Sequence, residues 1–296
     1  MDSYQSVIDR IAQSGGVVML VGGLDSGKTT MGRSVARSGL LAGRSVAFLD
    51  ADLGQKSVGP PACVGLRMVQ GESDLEPAGA SEPDEIYFVG ATSPQGQLLP
   101  LVVGTGRLLA RARELGADLV VVDTSGLVSG VYGQLLKYHK VELLRPDVVI
   151  GLQRGEELDP ILGIVRRFFA TEVITLPVPA EVRSTSVEER ASRREEAMRR
   201  YFAGPLQRWR VKPTVFMPAL PTLFDQTQLH RILVGLSDGS GDSIGMGYLE
   251  YSNEDGILRL ISPVKEAPRA LKLGSVRVEE GFRVRRVDLR NLFGTD

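Results

Sequence analysis

An α/β fold, organised as a doubly wound and mostly parallel sheet with a small β-rich C-terminal domain, is predicted by three features of this 296-residue sequence. Apolar runs of strand length alternate with helix-length stretches over roughly the first two hundred residues, the pattern of a parallel sheet covered by helices. A Gly-rich loop joins the first apolar run to the first long helical stretch. After Gly204-Pro205 the helical periodicity gives way to short β-like runs. With 43% hydrophobic residues the chain can bury a core of that extent.

The strands are expected at 17–21, 45–50, 86–91, 118–123, 147–152 and 172–176, each a short apolar run. Helices are expected at 29–41, 97–115, 132–144 and 157–169, several of which end at Gly or Pro, the residues that stop helices. The segment 70–84 is rich in Gly, Pro, Ser and acids and reads as a surface loop. Beyond it, runs at 245–251, 257–261 and 276–278 are separated by Asn253-Glu254-Asp255-Gly256 and Gly274-Ser275 turns. The boundary between the two predicted domains, 1–204 and 205–296, falls at the change of character.

Charge narrows the function classes. Lys and Arg number 35 against 36 Asp and Glu, so no global basic field exists, and contact with nucleic acid must come from local clusters. The single cysteine, Cys63, excludes an internal disulfide and a thiolate zinc site and fits a reducing compartment. Neither a leader-like N-terminus nor a membrane-length apolar run is present, so a cytoplasmic protein without a membrane partner is expected.

Gly22-Gly23-Leu24-Asp25-Ser26-Gly27-Lys28-Thr29 fits the phosphate-loop pattern G-x-x-x-x-G-K-S/T and stands after an apolar strand and before a helix. A P-loop NTPase sheet binding ATP and Mg²⁺ follows. Backbone N–H groups and the helix N-terminus would surround the β-phosphate, at a distance that side chains would block. Lys28 would bridge the β- and γ-phosphates, Thr29 would offer a hydroxyl to Mg²⁺, and Thr30 would reach the α-phosphate. Asp50 and Asp52 follow the second strand at the carboxyl edge of the sheet, and on extended chain they point to opposite sides, so two roles are expected. The competing reading of either acid is a helix N-cap. Asp123, ending the run 119–122, stands where a Walker B carboxylate holds Mg²⁺.

Together the residues 22–29, the run Asp50-Ala51-Asp52-Leu53-Gly54-Gln55-Lys56-Ser57-Val58-Gly59-Pro60-Pro61, Thr92-Ser93-Pro94, and Arg183-Ser184 followed by Arg190, Arg194 and Tyr201-Phe202-Ala203-Gly204 resemble the polynucleotide 5′-hydroxyl kinases. That family comprises the eukaryotic cleavage-factor and pre-rRNA-processing kinases with their archaeal and bacterial relatives. The resemblance implies transfer of the ATP γ-phosphoryl group to the 5′-hydroxyl end of a nucleic acid, RNA being favoured. It implies that Asp52 accepts the hydroxyl proton, that Asp50 coordinates Mg²⁺ or supports its ligands, and that Gln55 contacts phosphate or metal-bound water. Thr92, Ser93 and Pro94 resemble the family's clasp over the nucleotide, and 183–202 its lid, from which Arg190 and Arg194 would meet the γ-phosphate. The bland alternative for that segment is an exposed helix whose arginines pair with Glu188, Glu189, Glu195 and Glu196.

Two departures shape the expectations. Leu127 follows Asp123-Thr124-Ser125-Gly126 where cleavage-factor members carry a base-stacking aromatic, and Trp209, the only tryptophan, reads as a core or interface residue. Because the first strand begins at residue 17, docking through the N-terminal domain of eukaryotic members is not expected, and no protein partner is inferred. Three rivals stand beside the kinase. An RNA-processing scaffold with structural ATP would have no physical need of lid arginines and a base. A small-molecule (nucleoside) kinase is disfavoured by the D-x-D-x-G-Q run. A ParA-like ATPase would carry an early P-loop lysine where Gly23 stands.

Overall fold

The structure, a computed structural model, describes residues 4–76, 82–221 and 224–293. Helix α1 (Tyr4–Ser14) leads into β1 (Gly16–Gly22), the phosphate loop, α2 (Lys28–Leu41) and β2 (Val46–Ala51). Then come β3 (Cys63–Val69), β4 (Glu85–Phe88), α3 (Leu98–Glu114), β5 (Leu119–Thr124), α4 (Gly130–Leu144), β6 (Val148–Gln153), α5 (Asp159–Phe168) and β7 (Glu172–Pro177). After α6 (Val187–Tyr201) the chain is almost all strand: β8 (Gln207–Arg210), β9 (Phe216–Met217), β10 (Ile232–Ser237), β11 (Ser243–Ser252), β12 (Ile257–Ser262), β13 (Ala270–Val278) and β14 (Val284–Arg286), closed by α7 (Leu289–Phe293).

The parallel core runs in the order β2-β5-β1-β6-β7. One face is covered by α3, α4 and α5, with Leu101, Leu109, Leu136, Val141 and Leu162 packed on Met19, Leu49 and Val122. The other is covered by α1 and α2, through Val7, Ile11, Met31 and Val35 against Leu20, Phe48 and Val121. Strands buried on both faces read as continuous apolar runs, which is why β1, β2, β5 and β6 lie where their runs do, and the edge strand β7 also lies where expected. The register sets Asp50 directly beside Asp123 on neighbouring strands.

Several elements differ from expectation. Helix α1 was not foreseen, although its apolar residues Val7, Ile8, Ile11 and Ala12 form one buried face. The sixth strand, expected at 86–91, is β4, and it pairs antiparallel with β3, which in turn pairs antiparallel with β2. Within the expected loop 70–84, Glu72–Leu75 form a single 3₁₀ turn, while 77–81 lie outside the described residues. The C-terminal strands continue the same sheet: β11 pairs with β4 at Ser243 and Ile86. Phe88, Met198, Phe202, Leu233, Met246 and Val276 form a shared cluster across that junction. A domain boundary at 204–205 is accordingly proposed on the switch from parallel α/β to antiparallel all-β structure, not on a gap in packing. Trp209 pairs across from Leu260 and packs, half-buried, on the C-terminal core. Among the described residues no helix is long and apolar enough to cross a membrane.

Candidate active site

The site forms where β1, β2 and β5 end. Gly27 (φ 84°) and Asp25 (φ 49°) take left-handed backbone that lets the loop turn back toward α2. A Cβ on Gly22 would stand 2.4 Å from the Ser26 hydroxyl and 2.8 Å from the Leu152 carbonyl oxygen, so the strand exit admits only glycine. Ser26 donates to the Gly23 carbonyl at 3.0 Å. Arg154, which follows β6, donates to the carbonyls of Leu24 (3.5 Å) and Asp25 (2.5 Å). Those bonds turn the loop's carbonyls outward toward Arg154. The loop walls a cleft of ≈ 750 Å³ that is also lined by Lys28, Thr29, Thr30, Asp52, Gln55 and Arg190 of the lid.

Lys28 lies buried, its ammonium donating to Gly23 O (2.5 Å) and Ser26 Oγ (3.3 Å). Burial lowers its pKa while Asp123, Asp52 and Asp25 pull it back up, so the charge is poorly solvated and available to a phosphate. Thr29 donates to Asp123 Oδ2 at 2.5 Å. The other oxygen, Asp123 Oδ1, is buried and accepts no hydrogen bond among the described residues. Burial, followed by the neighbouring Asp50, raises the Asp123 pKa to about 6. An acid this uncomfortable, with an unused oxygen beside a threonine hydroxyl, suits a hard divalent cation. Among the described residues no group of three or more His, Cys, Asp or Glu forms a metal site by itself.

Asp50 and Asp52 do different things. Asp50 is fully buried. Its Oδ2 accepts from the backbone N–H of Ser57 (2.5 Å) and Val58 (3.0 Å), and its Oδ1 accepts from Asp52 N–H (2.9 Å) and pairs with Lys56 (3.1 Å). Both oxygens are thus committed to folding the 52–58 loop. Of its two expected roles, support of the site fits this geometry and direct coordination of Mg²⁺ does not. Asp52 lines the cleft; its Oδ1 accepts from Gly54 N–H (2.8 Å) and Gln55 N–H (3.0 Å), and its Oδ2 accepts nothing among the described residues.

The lid, α6, begins with a capping box in which Ser186 and Glu189 exchange hydrogen bonds at 3.0 and 2.8 Å. Its far end is rooted in the C-terminal strands, where the Tyr201 hydroxyl bridges the N–H (2.8 Å) and carbonyl (3.3 Å) of Met246. Arg190 pairs with none of the four glutamates considered for it. One nitrogen, Nη1, binds Asp25 Oδ2 (3.2 Å) and Thr185 O (2.6 Å), and the remaining nitrogens donate to nothing among the described residues. Asp25 also accepts from the N–H (2.9 Å) and hydroxyl (3.1 Å) of Thr185, and Gln55 donates to the Arg190 carbonyl at 3.2 Å. The phosphate loop and the Asp52 loop therefore both grip the lid.

The structure does not gather every expected residue on the cleft wall. Arg194 leans toward Gly54, with a buried Nε that has no partner among the described residues, and burial followed by Arg190 lowers its pKa. Thr92, Ser93 and Pro94 are not part of the cleft wall; a Cβ on Gly54 would meet the Thr92 carbonyl at 3.0 Å and Asp52 Oδ1 at 3.7 Å. Leu127 packs against the core. Sequence reasoning left Arg193 and Arg200 open between phosphate contact and surface, and it missed Arg33 and two lysines. Arg33, Arg193 and Arg200 line the cleft, and two fully buried lysines of α4 lie beneath it. Lys137 donates to Thr124 Oγ1 (2.8 Å) and Ser125 O (2.7 Å), and Lys140 has no hydrogen-bond partner among the described residues. Burial drives the pKa of Lys137 well down and that of Lys140 to about 7. Both are visible in the sequence only as polar residues on a helix.

A strand, a glycine loop with Lys28 and Thr29 opening a helix, and a paired Walker B acid define a P-loop nucleotide-binding protein. Residues 22–204 match the family described as mRNA cleavage and polyadenylation factor CLP1 P-loop, and the chain belongs to it. It is 31% identical to the polyribonucleotide 5′-hydroxyl-kinase TK1956 of Thermococcus kodakarensis, over 89% of this chain and 88% of that one. Identity to the polyribonucleotide 5′-hydroxyl-kinase MJ1315 of Methanocaldococcus jannaschii is 29%, over 89% and 87%. Against the Xenopus tropicalis polyribonucleotide 5′-hydroxyl-kinase Clp1 it is 25%, over 88% of this chain and 58% of the relative. Among solved structures, Clp1p in the wild-type Clp1p–Pcf11p complex superposes with a TM-score of 0.72, covering 92% of this chain and 77% of that one, and at 15% identity it shares the fold.

Proposed function

We propose that this protein is a polyribonucleotide 5′-hydroxyl kinase, transferring the γ-phosphoryl group of ATP to the 5′-hydroxyl of RNA. The observation that carries the reading is the Asp52 carboxylate. Two backbone N–H groups fix one oxygen and leave the other open at a cleft that also holds Lys28 and Arg190. A ribose hydroxyl is a weak nucleophile that needs such an acceptor, whereas a protein holding ATP only as structure does not. The kinase names of archaeal relatives spanning nearly their whole length support the same conclusion.

In this reading the N–H groups of the phosphate loop and Lys28 hold the triphosphate, with Thr30 toward the α-phosphate. Thr29 and Asp123 would hold Mg²⁺, which would neutralise negative charge on the phosphates. The 5′-hydroxyl passes its proton to Asp52 Oδ2 as its oxygen bonds to the γ-phosphorus, while the bond from that phosphorus to the bridging oxygen of ADP breaks. The nitrogens of Arg190 not used by Asp25 and Thr185 meet charge spread over the equatorial oxygens. Gln55 acts by fastening the lid, through the Arg190 carbonyl. The test compares 5′-hydroxyl RNA, 5′-hydroxyl DNA and nucleosides as acceptors for labelled γ-phosphate, with wild type and Asp52→Asn. RNA should be the preferred acceptor, and Asp52→Asn should lower kcat roughly 10²-fold with ATP binding retained. Preference for a nucleoside would replace the polynucleotide reading.

A further inference from the structure

We infer that a groove formed by Arg277, Arg285 and Arg286 on β13 and β14 is a track for the sugar-phosphate backbone of the acceptor RNA, downstream of the 5′ end held at Asp52. The inference rests on the kinase reading and extends it to a second contact surface. With 35 basic and 36 acidic residues, the chain can hold a polyanion only where charge is concentrated. Residues 283–290 carry four arginines and one acid, Asp288; Arg290 pairs with Asp288 at 3.0 Å and Arg285 with Glu279 at 2.9 Å, which leaves Arg283 and Arg286 outside ion pairs among the described residues. The groove has a volume of ≈ 380 Å³ and includes Asn291, a further hydrogen-bond donor. Arg286 is exposed, and its guanidinium makes no hydrogen bond or close ion pair among the described residues, although Asp288 of the same groove feels its charge. Arg277 is anchored through Gln228 O at 2.8 Å, while its buried Nε has no partner among the described residues. Burial and then the adjacent Arg285 lower its pKa, while Glu279, which pairs with Arg285 at 2.9 Å, offsets part of this, so an anion in the groove would chiefly relieve Arg277.

Position makes this cluster relevant to the acceptor. In the strand beneath it, Ser275 N–H donates to Gly90 O at 2.7 Å, and Val287 N–H donates to Ser275 O at 2.8 Å. Arg286 Nη2 lies 3.6 Å from where a Cβ on Gly96 would stand. At the other end of the 92–96 turn, the Thr92 carbonyl abuts Gly54, whose N–H binds Asp52. The 92–96 turn therefore touches the Asp52 loop at one end and Arg286 at the other. The turn is not part of the wall of the cleft assigned to the triphosphate. A single strand tracked by positive charge and read without base identity is the expected ligand of such a surface.

The test uses acceptors of two lengths. A 5′-hydroxyl dinucleotide has one internucleotide phosphate, held beside Asp52, whereas an RNA of about 20 nucleotides covers the turn and the groove. Wild type should show a lower KM for the longer RNA. The variants are Arg286→Gln and the double Arg285→Gln/Arg286→Gln, both at exposed positions. In the double variant the KM for the longer RNA should rise about 10-fold at unchanged kcat. The slope of log KM against log salt should fall by about 1.4, or 0.7 for each lost phosphate contact on a single strand. Turnover of the dinucleotide reports the fold and the catalytic centre. An unchanged KM for the longer RNA would overturn the inference and leave the groove to an acidic protein segment. So would an equal loss on both acceptors. If wild type phosphorylates neither RNA, the kinase reading falls, and the groove is judged by direct binding of labelled RNA at two salt concentrations: weaker binding by the variant supports it, equal binding overturns it.

Discussion

Replacing Arg190 separates catalysis from lid architecture, because the structure gives this side chain a specific partner to lose. Its ion pair with Asp25 joins side chains that are 20% and 21% exposed, so solvent screens it only in part. Arg190→Gln should cost about 1 kcal/mol of stability for that pair and its charge-assisted bond to Thr185. In a chain of this size that is a fall in melting temperature of roughly 2 °C. Asp25→Asn breaks the same pair and should cost a similar amount. Turnover should divide them. Losing an arginine that meets transition-state charge lowers kcat on the order of 10²-fold, about 2.7 kcal/mol, with little change in the KM for ATP. Loosening the latch should cost less than about tenfold, since Arg190 keeps its Thr185 carbonyl anchor. Arg190→Lys should recover little, because a point charge lacks the fork that binds two oxygens. The assay is steady-state phosphorylation of 5′-hydroxyl RNA alongside thermal melting. Equal loss of kcat in Arg190→Gln and Asp25→Asn would show that the arginine acts only through the latch, and unchanged kcat in both would return it to the surface.

Three further outcomes follow from the geometry. Lys28→Ala should abolish transfer while ATP affinity, measured by calorimetry, falls less, since the loop's N–H groups remain. Asp50→Asn places an NH₂ where the carboxylate now accepts backbone N–H groups and Lys56, so denaturant unfolding should show a loss of roughly 2–4 kcal/mol. A raised Mg²⁺ requirement at normal stability would instead make Asp50 a metal ligand. Because the Asp123 pKa is raised to about 6, a proton competes with Mg²⁺ below that pH. Apparent Mg²⁺ affinity should fall as pH drops through about 6 and level off above it, and a flat profile between pH 5 and 8 would remove Asp123 from the metal.

What was legible in the sequence is what leaves a one-dimensional trace. The parallel strands are continuous apolar runs, and the phosphate loop needs glycines whose backbone and close contacts no other residue satisfies, as at Gly22 and Gly27. The order of the motifs located Asp52 and the lid. Strand β3 escaped because Cys63–Val69 returns antiparallel from a loop that had been read only as motif, and pairing direction is set by tertiary contacts. The latch escaped for a related reason. Asp25 occupies a variable position of the phosphate-loop pattern, and its three bonds to Thr185 and Arg190 span 160 residues or more. The clasp tripeptide was assigned to the nucleotide by motif order, which carries no information about the loop a turn packs against, here Gly54.

The buried lysines of α4 are the least legible feature and allow the sharpest test of the site's electrostatics. Lys140 is fully buried, and burial lowers its pKa from 10.5 to about 7 although Asp52, Asp50 and Asp123 all pull it upward. Between about 7 and the unfolded value of 10.5, the unfolded chain holds a proton on this lysine that the folded chain has released. Stability from this group therefore rises with pH across that window and is flat below it, where both states are protonated. Lys140→Met keeps much of the volume and removes the ammonium, so it should raise stability at neutral pH and flatten the slope between pH 7 and 9. The same change takes a positive charge from beneath three carboxylates, so Asp123 should hold its proton to higher pH and the Mg²⁺ activation curve should move to higher pH with it. Urea unfolding of wild type and Lys140→Met at pH 6 to 9, followed by Mg²⁺ titration at each pH, measures both effects. Parallel stability curves together with unshifted Mg²⁺ activation would mean that Lys140 is not electrostatically joined to the acids above it.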